Sequence, residues 1–364
     1  MLPVKTANPL VSVIMPLFNA EKHLDETLDS LLKQTFDNFE VVMVDDGSKD
    51  KTAAIALSYV KNDKRFRLIK QSNSGAAEAR NRGMDAARAD YLLFLDADDL
   101  FDSTLLEKLY QMSVLSGADI CICDADAFCS VDARLVPSAG VVGDIGSGTY
   151  ETKELSENLF QLFSAAPWNK LIRRQLVQSH GLKFQNLKKA NDTFFIFAAL
   201  AYSKTVSVIK EKLVHYRFGS GNSIRDNQDS FNECLFLAAD KLHSLPMMKG
   251  SLNSSLNCWC LETYIYSFSD VARGSYSAAK QLFELYNTTY RKRWGMDSLV
   301  FPRKTRPALR FKWWCIKYLN FNQLYGLYHS QSSARYKTKA EKIWLSFCML
   351  AHGLLSRFRR IVKR

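Results

Sequence analysis

The sequence predicts an α/β fold, in which a mostly parallel sheet is flanked by helices and followed by a helical, basic C-terminal region. Strand-like apolar runs alternate with helical patterns between residues 10 and 125. Aspartates cluster directly after two of these runs, and basic residues are concentrated at the end of the chain. The 364 residues are enough for two domains, and the 47% hydrophobic content is typical of a globular protein.

Each element of this fold follows from a local pattern. Apolar and β-branched runs predict strands at residues 10–15 (ended by Pro16), 39–44, 66–69, 91–95 and 118–124. Apolar residues at helical spacing predict helices after Asn19 as N-cap, at 50–62 and 74–87, and after Asp102 as cap. Glycine, serine and proline predict a loop at 137–149, and ordered structure should return at 167–176 and 191–201. From about residue 228 onward the patterns are helical only.

The C-terminal region is strongly basic. Residues from Arg303 to Arg364 include 15 Lys and Arg and one acid, whereas the rest of the chain has 34 basic and 36 acidic residues. Large apolar side chains among these charges favour a helix on an anionic membrane surface. A helical subdomain packed on the body and a nucleic-acid-binding arm are the alternatives, although no nucleic-acid-binding motif is present. The longest apolar run, 343–355, is shorter than the ~20 residues needed to span a bilayer.

The first residues and the cysteines indicate a cytoplasmic protein. The N-terminal stretch lacks the pattern of a signal peptide. None of the eight cysteines forms a CxxC pair, and the spacing of Cys121 from Cys123 and of Cys258 from Cys260 is unsuited to zinc. We therefore expect buried, reduced thiols.

Two clusters of aspartates follow predicted strands, where open α/β sheets bind their ligands. The clusters are Asp45 and Asp46 after the second strand, and Asp96, Asp98 and Asp99 after the fourth. Carboxylates this close raise one another's pKa unless a cation lies among them. A Mn2+ or Mg2+ ion that also binds a phosphorylated ligand would supply that charge, and Arg80 or Arg82 could add to it. For a single aspartate, a turn or a helix cap explains the residue equally well.

Four motifs occur in order along the chain: P-x-x-N from Pro16, V-D-D-G-S from Val44, N-x-G-x-x-x-A-R-N-x-G from Asn73 and D-x-D from Asp96. In this combination the sequence resembles the family 2 glycosyltransferases, which are inverting enzymes with the GT-A fold, a Rossmann-like nucleotide-binding fold. The resemblance is dense over residues 10–125 and looser over 165–225. It implies a nucleoside-diphosphate sugar donor, expected to be a UDP-sugar, and a divalent metal. It also implies a glycan or lipid-linked acceptor in the synthesis of cell-surface polysaccharide or lipopolysaccharide.

The resemblance also assigns donor-binding residues. They are Pro16, Phe18 and Asn19 beside the nucleotide, Asp45 at the nucleobase with Asp46 next to it, Asn73, Gly75 and Arg80 under the base and diphosphate, and Asp96, Ala97 and Asp98 near the ribose and diphosphate. Phe18 stands where the family usually has Tyr. Asp98 is expected to bind the metal, and His215 is either a second metal or phosphate contact or a structural histidine at the end of a strand.

The acceptor side is assigned in the same way. Inverting transfer needs a base for the acceptor hydroxyl, and Asp192 matches the aspartate of the family's Glu-Asp pair, with Asn191 in place of the glutamate. Asp192 could also cap a helix at 193–202. Trp168 and Asn169 match an acceptor-side motif, and the alternative for Trp168 is a place in the core.

These assignments imply a domain organisation and a location. Residues 1–225 would form the GT-A domain, with a nucleotide-sugar half at 10–125 and an acceptor half at 126–225. A helical extension at 226–302 and basic amphipathic helices at 303–364 would follow. The expected location is peripheral, on the inner face of the cell membrane, with the basic tail on an anionic surface and no nucleic acid bound.

Three other activities fit parts of the pattern. A phosphohydrolase of the haloacid dehalogenase type also has D-x-D after a strand, but early in the chain and without the upstream D-D-G-S. A sugar-nucleotide pyrophosphorylase needs a Gly-rich basic loop after the first strand, which MPLFNAEK does not provide. A non-enzymatic membrane-surface or nucleic-acid-binding protein would not need the intact acidic positions.

Overall fold

The computed structural model describes residues 8–130, 134–136, 140–219, 233–301, 305 and 307–329. These residues form two compact units. The first contains the described residues up to 219 together with Glu233–Leu256, and the second begins at Asn257. The apolar run 343–355 and the rest of the chain after residue 329 lie outside the described residues.

The first unit is built on a ten-stranded mixed sheet. Its strands are β1 (Val11–Leu17), β2 (Phe39–Asp45), β3 (Phe66–Lys70), β4 (Tyr91–Phe94), β5 (Leu100–Phe101), β6 (Ile120–Cys129), β7 (Leu135–Val136), β8 (Gly148–Glu151), β9 (Lys170–Arg173) and β10 (Thr205–Phe218). The order is β3-β2-β1-β4-β9-β6-β10-β5, while β7 pairs with β6 and β8 pairs with β10.

Strand direction differs between the two halves of this sheet. Strands β3, β2, β1 and β4 run parallel, as expected for the nucleotide-sugar half. Strand β9 is antiparallel to both β4 and β6, and the short strands β5, β7 and β8 are also antiparallel to their partners. In the same half, β6 and β10 pair in parallel. The predicted α/β class is confirmed, with a parallel first half and a mixed second half.

The helices of the first unit connect and cover these strands. They are α1 (Leu24–Leu32), α2 (Thr52–Asn62), α3 (Ala76–Asp85), α4 (Leu105–Ser116), α5 (Thr152–Leu155), α6 (Leu159–Leu162), α7 (Arg174–Ser179), α8 (Thr193–Tyr202), α9 (Cys234–His243) and the start of α10 (Gly250–Gly274). Helix α8 is apolar on almost every side and is buried along most of its length, so it belongs to the core.

An aromatic cluster packs α8 against the end of β4. The rings of Phe94 in β4, Phe184 in the segment between α7 and α8, and Phe195 in α8 have centroids 4.0–5.3 Å apart. Such contacts add to the burial of apolar area and favour fixed ring geometries. The start of α8 is therefore close to the edge of the sheet where β4 ends.

The second unit is helical throughout its described residues, as the sequence predicts. It contains the rest of α10, then α11 (Tyr276–Leu285), a π-helical turn (Tyr286–Tyr290), α12 (Arg291–Arg293), a 3-10 turn (Met296–Ser298), α13 (Pro307–Tyr318) and α14 (Phe321–His329). Tyr264 and Tyr286 stack in its core with centroids 4.0 Å apart. Among the helices of the described chain, none is long and apolar enough to cross a membrane.

Pro16 and Asn19 do not mark the element boundaries that the sequence predicts. Pro16 lies inside β1, because the ladder to β4 ends at the Ile14–Phe94 pair and the missing N–H of proline breaks no bond beyond it. Asn19 does not cap a helix, since α1 begins at Leu24 without a side-chain cap. Its side chain instead accepts a hydrogen bond from the Lys49 amide at 2.9 Å.

Candidate active site

The two aspartate clusters lie at the same edge of the sheet, on either side of β1. The amide of Asp46 donates to the carbonyl of Leu17 at 2.8 Å, which continues the pairing of β2 with β1. On the other side, the amide of Leu95 donates to the carbonyl of Ile14 at 3.0 Å. The carboxyl ends of β2 and β4 therefore open together onto the edge where α/β sheets bind ligands.

The loops after β1 and β2 are joined to each other. Asn19 has a positive φ of 48°, and its amide donates to the hydroxyl of Ser48 at 3.0 Å. Asp45 is buried and accepts one bond, from the amide of Ser48 at 3.1 Å. Phe18 remains 49% exposed beside them. This leaves an aromatic face and a lightly bonded carboxylate at the crevice, the two groups that a nucleobase can use.

Asp46 organises the loop that leads into α3. Its carboxylate accepts three hydrogen bonds of 2.8 Å, from the Gln71 side chain and from the amides of Ser74 and Gly75. Gly75 has φ 93°, a conformation that favours glycine. Asn73 is exposed in this loop. Asp46 thus holds the loop in place with its own oxygens, whereas Asn73 is presented to solvent.

Arg80 of α3 is enclosed and connects two parts of the site. One guanidinium nitrogen donates to Oδ1 of Asp96 at 2.7 Å, and the other donates to Oδ1 of Asn191 at 3.0 Å. The guanidinium also lies 5.5 Å from the centroid of Phe184, and its side chain is only 8% exposed. The structure therefore uses Arg80 to bridge the acid after β4 to the residue before Asp192.

The acids after β4 have unusual surroundings. Burial, and then the charge of Asp96, raises the pKa of Asp98 to about 6. Asp99 is fully buried, its pKa is raised for the same reasons, and its Oδ2 has no hydrogen-bond partner within the described chain. The surroundings of Asp98 and Asp99 therefore disfavour their ionised forms.

Two residues anchor the backbone of these acids. Arg217 of β10 donates from its amide to Oδ1 of Asp99 at 2.8 Å and from Nε to the carbonyl of Asp98 at 2.7 Å. The hydroxyl of Thr27 in α1 lies within hydrogen-bond distance of the carbonyls of Ala97 (3.1 Å) and Asp99 (2.8 Å). The D-x-D turn is thus fixed from both sides.

The carboxylates after β4 could bind a metal ion only together with oxygen atoms from a bound ligand. Among the described residues, no group of three or more His, Cys, Asp or Glu side chains is arranged to hold a metal. The Oδ2 of Asp99 is nevertheless a buried acceptor without a partner in the described chain, and a cation beside it would satisfy it. One or two carboxylates completed by phosphate oxygens are a common way of binding Mg2+.

His215 lies on β10, two residues before Arg217, and pairs with Leu100 of β5. Its Nδ1 is 2.6 Å from Oδ1 of Asp126 on the neighbouring strand β6. A carboxylate at Nδ1 holds the ring and leaves Nε2 as the nitrogen for another ligand. Its role in metal binding stays a prediction.

Asp192 directly precedes α8, and its side chain does not cap that helix. Its carboxylate accepts a long contact of 3.4 Å from the hydroxyl of Thr193 and a bond from its own backbone amide. Burial raises the pKa of Asp192, the charge of Arg80 lowers it and the charge of Asp96 raises it. Asp192 is thus a carboxylate within electrostatic reach of the donor-side acid and without a strong bond of its own.

Trp168 and Asn169, which the resemblance assigns to the acceptor side, are both buried. Trp168 is 7% exposed and stacks on Tyr216 with centroids 5.8 Å apart. Asn169 is fully buried, and its amide donates to the carbonyl of Cys123 at 2.7 Å. The Lys170 ammonium, also fully buried, donates to Oδ1 of Asn169 at 2.7 Å, and burial lowers the pKa of Lys170 to about 7. Sequence reasoning missed Lys170, because no local motif distinguishes a buried lysine from a surface one.

Comparisons with known proteins identify relatives of this chain. The family described as "Glycosyl transferase family 2" matches residues 12–181. The putative glycosyltransferase EpsH of Bacillus subtilis is 32% identical over 232 residues, which is 62% of this chain and 65% of that relative. The chain thus spans less than two thirds of EpsH. An uncharacterized glycosyltransferase of Haemophilus influenzae is 32% identical over 190 residues, or 52% of this chain and 71% of the relative.

Solved structures show the same fold. The structure of S. aureus TarS 1–349 in complex with UDP-GlcNAc superposes with a TM-score of 0.69. The match covers 88% of this chain and 91% of the TarS chain at 22% sequence identity. A likeness at this identity concerns the fold alone.

Proposed function

We propose that this chain, which belongs to the family 2 glycosyltransferases, transfers a monosaccharide from a nucleoside-diphosphate sugar to a glycan or lipid-linked acceptor, with inversion. The observation that carries the proposal is the Arg80 bridge, which joins Asp96 to the residue before Asp192. A donor-side acid and a buried carboxylate able to act as a base thereby belong to one site. The comparisons do not favour the hydrolase, the pyrophosphorylase or the non-enzymatic alternative.

In this proposal the loops after the first three strands bind the nucleotide. The ring of Phe18 and the carboxylate of Asp45 would contact the base, and the loop containing Asn73 and Gly75 would lie under it. The acids after β4 would face the diphosphate. The bound Mn2+ or Mg2+ would offset the negative charge that develops on the leaving diphosphate. Asp98 and His215 are the residues proposed to hold it.

Asp192 is the proposed general base. It would accept the proton of the acceptor hydroxyl as that oxygen attacks the anomeric carbon from the face opposite the diphosphate. A carboxylate whose pKa is raised by burial is a better proton acceptor than an exposed one, provided it remains ionised. The positive charge of Arg80 supports the ionised form.

The donor panel that tests this proposal begins with UDP-GlcNAc, since TarS, which shares the fold, was solved with that sugar nucleotide. UDP-, GDP- and TDP-sugars would be incubated with the full chain and Mn2+, with and without EDTA. We expect release of one nucleoside diphosphate that depends on the metal. Release of inorganic phosphate, or no release with any donor, would contradict the proposal.

A matched pair of variants sharpens the test. In Asp98→Asn, added Mn2+ should no longer increase the release of nucleoside diphosphate, because the proposed metal ligand is replaced. Asp124→Asn changes a buried aspartate on β6, whose carboxylate pairs with Lys210 at 3.2 Å, and should keep that dependence. Equal behaviour of the two variants would mean that Asp98 does not bind the metal.

We also propose that the protein works at the surface of the inner membrane face. The 15 basic residues between Arg303 and Arg364 support this, because each Lys or Arg near an anionic surface contributes about 1 kcal/mol. The full chain should sediment with vesicles that contain anionic lipid, and high salt should release it. Equal sedimentation with neutral vesicles would contradict an electrostatic attachment.

A further inference from the structure

We infer that Asn191 is a positioning residue. By accepting a hydrogen bond from Arg80, it would hold the start of α8 and thereby set the place of Asp192 relative to Asp96. The inference rests on the proposed function, in which Asp192 is the base. It concerns this chain's own contacts and goes beyond the identity of the base.

Arg80 links two segments of the chain through hydrogen bonds. Its two terminal nitrogens donate to Asp96 at 2.7 Å and to Asn191 at 3.0 Å, and these partners come from segments far apart in the sequence. The stem belongs to α3, and the guanidinium lies over Phe184. A side chain held at both ends and almost fully enclosed transmits the position of one partner to the other.

The backbone before α8 has an unfavourable conformation and weak local hydrogen bonds, so contacts with other segments should help to fix it. Ala190 adopts a positive φ of 54°, which is unfavourable for a residue with a Cβ atom. The amide of Thr193 reaches the carbonyl of Ala190 only at 3.3 Å, and the Asp192 side chain does not cap the helix. Asn191 makes contacts outside the helix: its side chain accepts a bond from Arg80, and its carbonyl accepts one from the amide of Gln185 at 3.2 Å.

The neutral amide of Asn191 also matters for charge. The charged groups that face Asp192 are Arg80 from α3, Asp96 after β4 and Lys170 from β9. A carboxylate at position 191 would compete for the Arg80 charge and add a negative charge beside the base. The added charge would raise the pKa of Asp192. As the pH falls, activity would then be lost at a higher pH than in the wild type.

Two variants of Asn191 separate the two effects. Asn191→Ala removes the acceptor, so we expect kcat to fall about tenfold or more while the KM for the donor changes less than twofold. Asn191→Asp keeps the oxygen, so we expect near-normal kcat at high pH and an acidic limb of the pH–rate profile that moves up by about one pH unit.

Asn81→Ala is the matched control on α3. Asn81 exchanges two hydrogen bonds with the backbone of Phe184, at 2.9 and 3.1 Å, and touches neither acid. Its loss should lower stability and leave the acidic limb in place. If Asn81→Ala moved the acidic limb of the pH–rate profile by the same amount, the shift would be caused by loosened packing and not by the charge at position 191.

Amide hydrogen exchange provides a readout that does not need activity. Exchange at the first turn of α8, including Ile196, whose amide bonds to Asp192 at 3.0 Å, should be faster in Asn191→Ala and unchanged in Asn191→Asp. Unchanged exchange together with unchanged kcat in the Ala variant would overturn the inference. If wild-type protein releases no nucleoside diphosphate, the proposed function fails, while the exchange result still decides whether Asn191 holds this turn.

Discussion

The replacement of Asp192 by Asn separates the catalytic role of this carboxylate from its effect on stability. The two side chains have nearly the same shape, but the amide cannot accept the proton of an attacking hydroxyl. General-base catalysis typically contributes about 10²–10⁴ in rate, which corresponds to roughly 2.7–5.5 kcal/mol of activation free energy. We expect kcat to fall by that factor, while the dissociation constant for the donor changes less than twofold.

The same variant should be at least as stable as the wild type. The Asp192 carboxylate accepts a 3.4 Å contact from the hydroxyl of Thr193 and a bond from its own backbone amide, and the Asn side chain keeps an oxygen that can accept both. Because burial raises the pKa of Asp192, its ionised form is disfavoured in the folded state relative to the unfolded chain. The Asn variant should therefore gain stability above the raised pKa, and the gain should vanish below about pH 4, where the carboxyl is protonated in both states.

The assay combines rates of sugar transfer with urea unfolding at acidic and neutral pH. Asp102→Ala is the contrasting control, since the Asp102 carboxylate accepts a 2.8 Å bond from the amide of Thr104 directly before α4. Its loss should cost about 1 kcal/mol of unfolding free energy and leave kcat unchanged. If Asp192→Asn keeps kcat within threefold, the base is another residue. If it loses more than about 1 kcal/mol of stability, Asp192 has a structural role instead.

Three further predictions follow from single side chains. Asp46→Ala should abolish nucleotide binding, measured by titration, and cost about 2–4 kcal/mol in urea unfolding, because three donors lose their acceptor. Gly83→Ala should cost about 1–3 kcal/mol in the same assay, because the added Cβ would lie 2.6 Å from Cγ2 of Ile14. Lys170→Met should remove a pH dependence: burial lowers the pKa of Lys170 to about 7, so the unfolding free energy of the wild type should rise by up to about 1.4 kcal/mol per pH unit above pH 7.

Each of these predictions can fail in a definite way. Normal nucleotide affinity in Asp46→Ala would mean that the loop before α3 does not need this carboxylate. An unchanged unfolding midpoint in Gly83→Ala would mean that α3 can move away from β1. The same pH slope in Lys170→Met and in the wild type would mean that Lys170 stays charged when folded.

The sequence predicts the nucleotide-sugar half of the fold well because its strands and helices alternate with clear local patterns. The position of strand β9 in the sheet cannot be predicted from local patterns. The segment 167–176 reads as ordered, but its insertion between β4 and β6 depends on partners some 50–80 residues away, as in the pairing of Leu171 with Leu93 and Cys121. Pairing at that distance leaves no local signal.

The roles that the resemblance assigns to single residues stay predictions, but the structure shows how their side chains are bonded. The resemblance singles out Arg80 and Asp46, yet both side chains are bonded within the protein and act as organisers of loops. Asn169 is likewise satisfied inside the sheet. A motif records which residue types a site needs, whereas the direction in which each one bonds depends on the tertiary contacts. Lys170 and Thr27 were missed for the same reason.

The anomeric form of the sugar released from a donor tests metal-assisted inverting transfer most directly. Proton NMR would follow slow hydrolysis of an α-linked UDP-sugar by the full chain with Mn2+, since water can replace the acceptor. The β-anomer should appear first, before mutarotation, and Asp192→Asn should abolish its formation. Initial release of the α-anomer, or a β-anomer formed equally fast by Asp192→Asn, would contradict this mechanism.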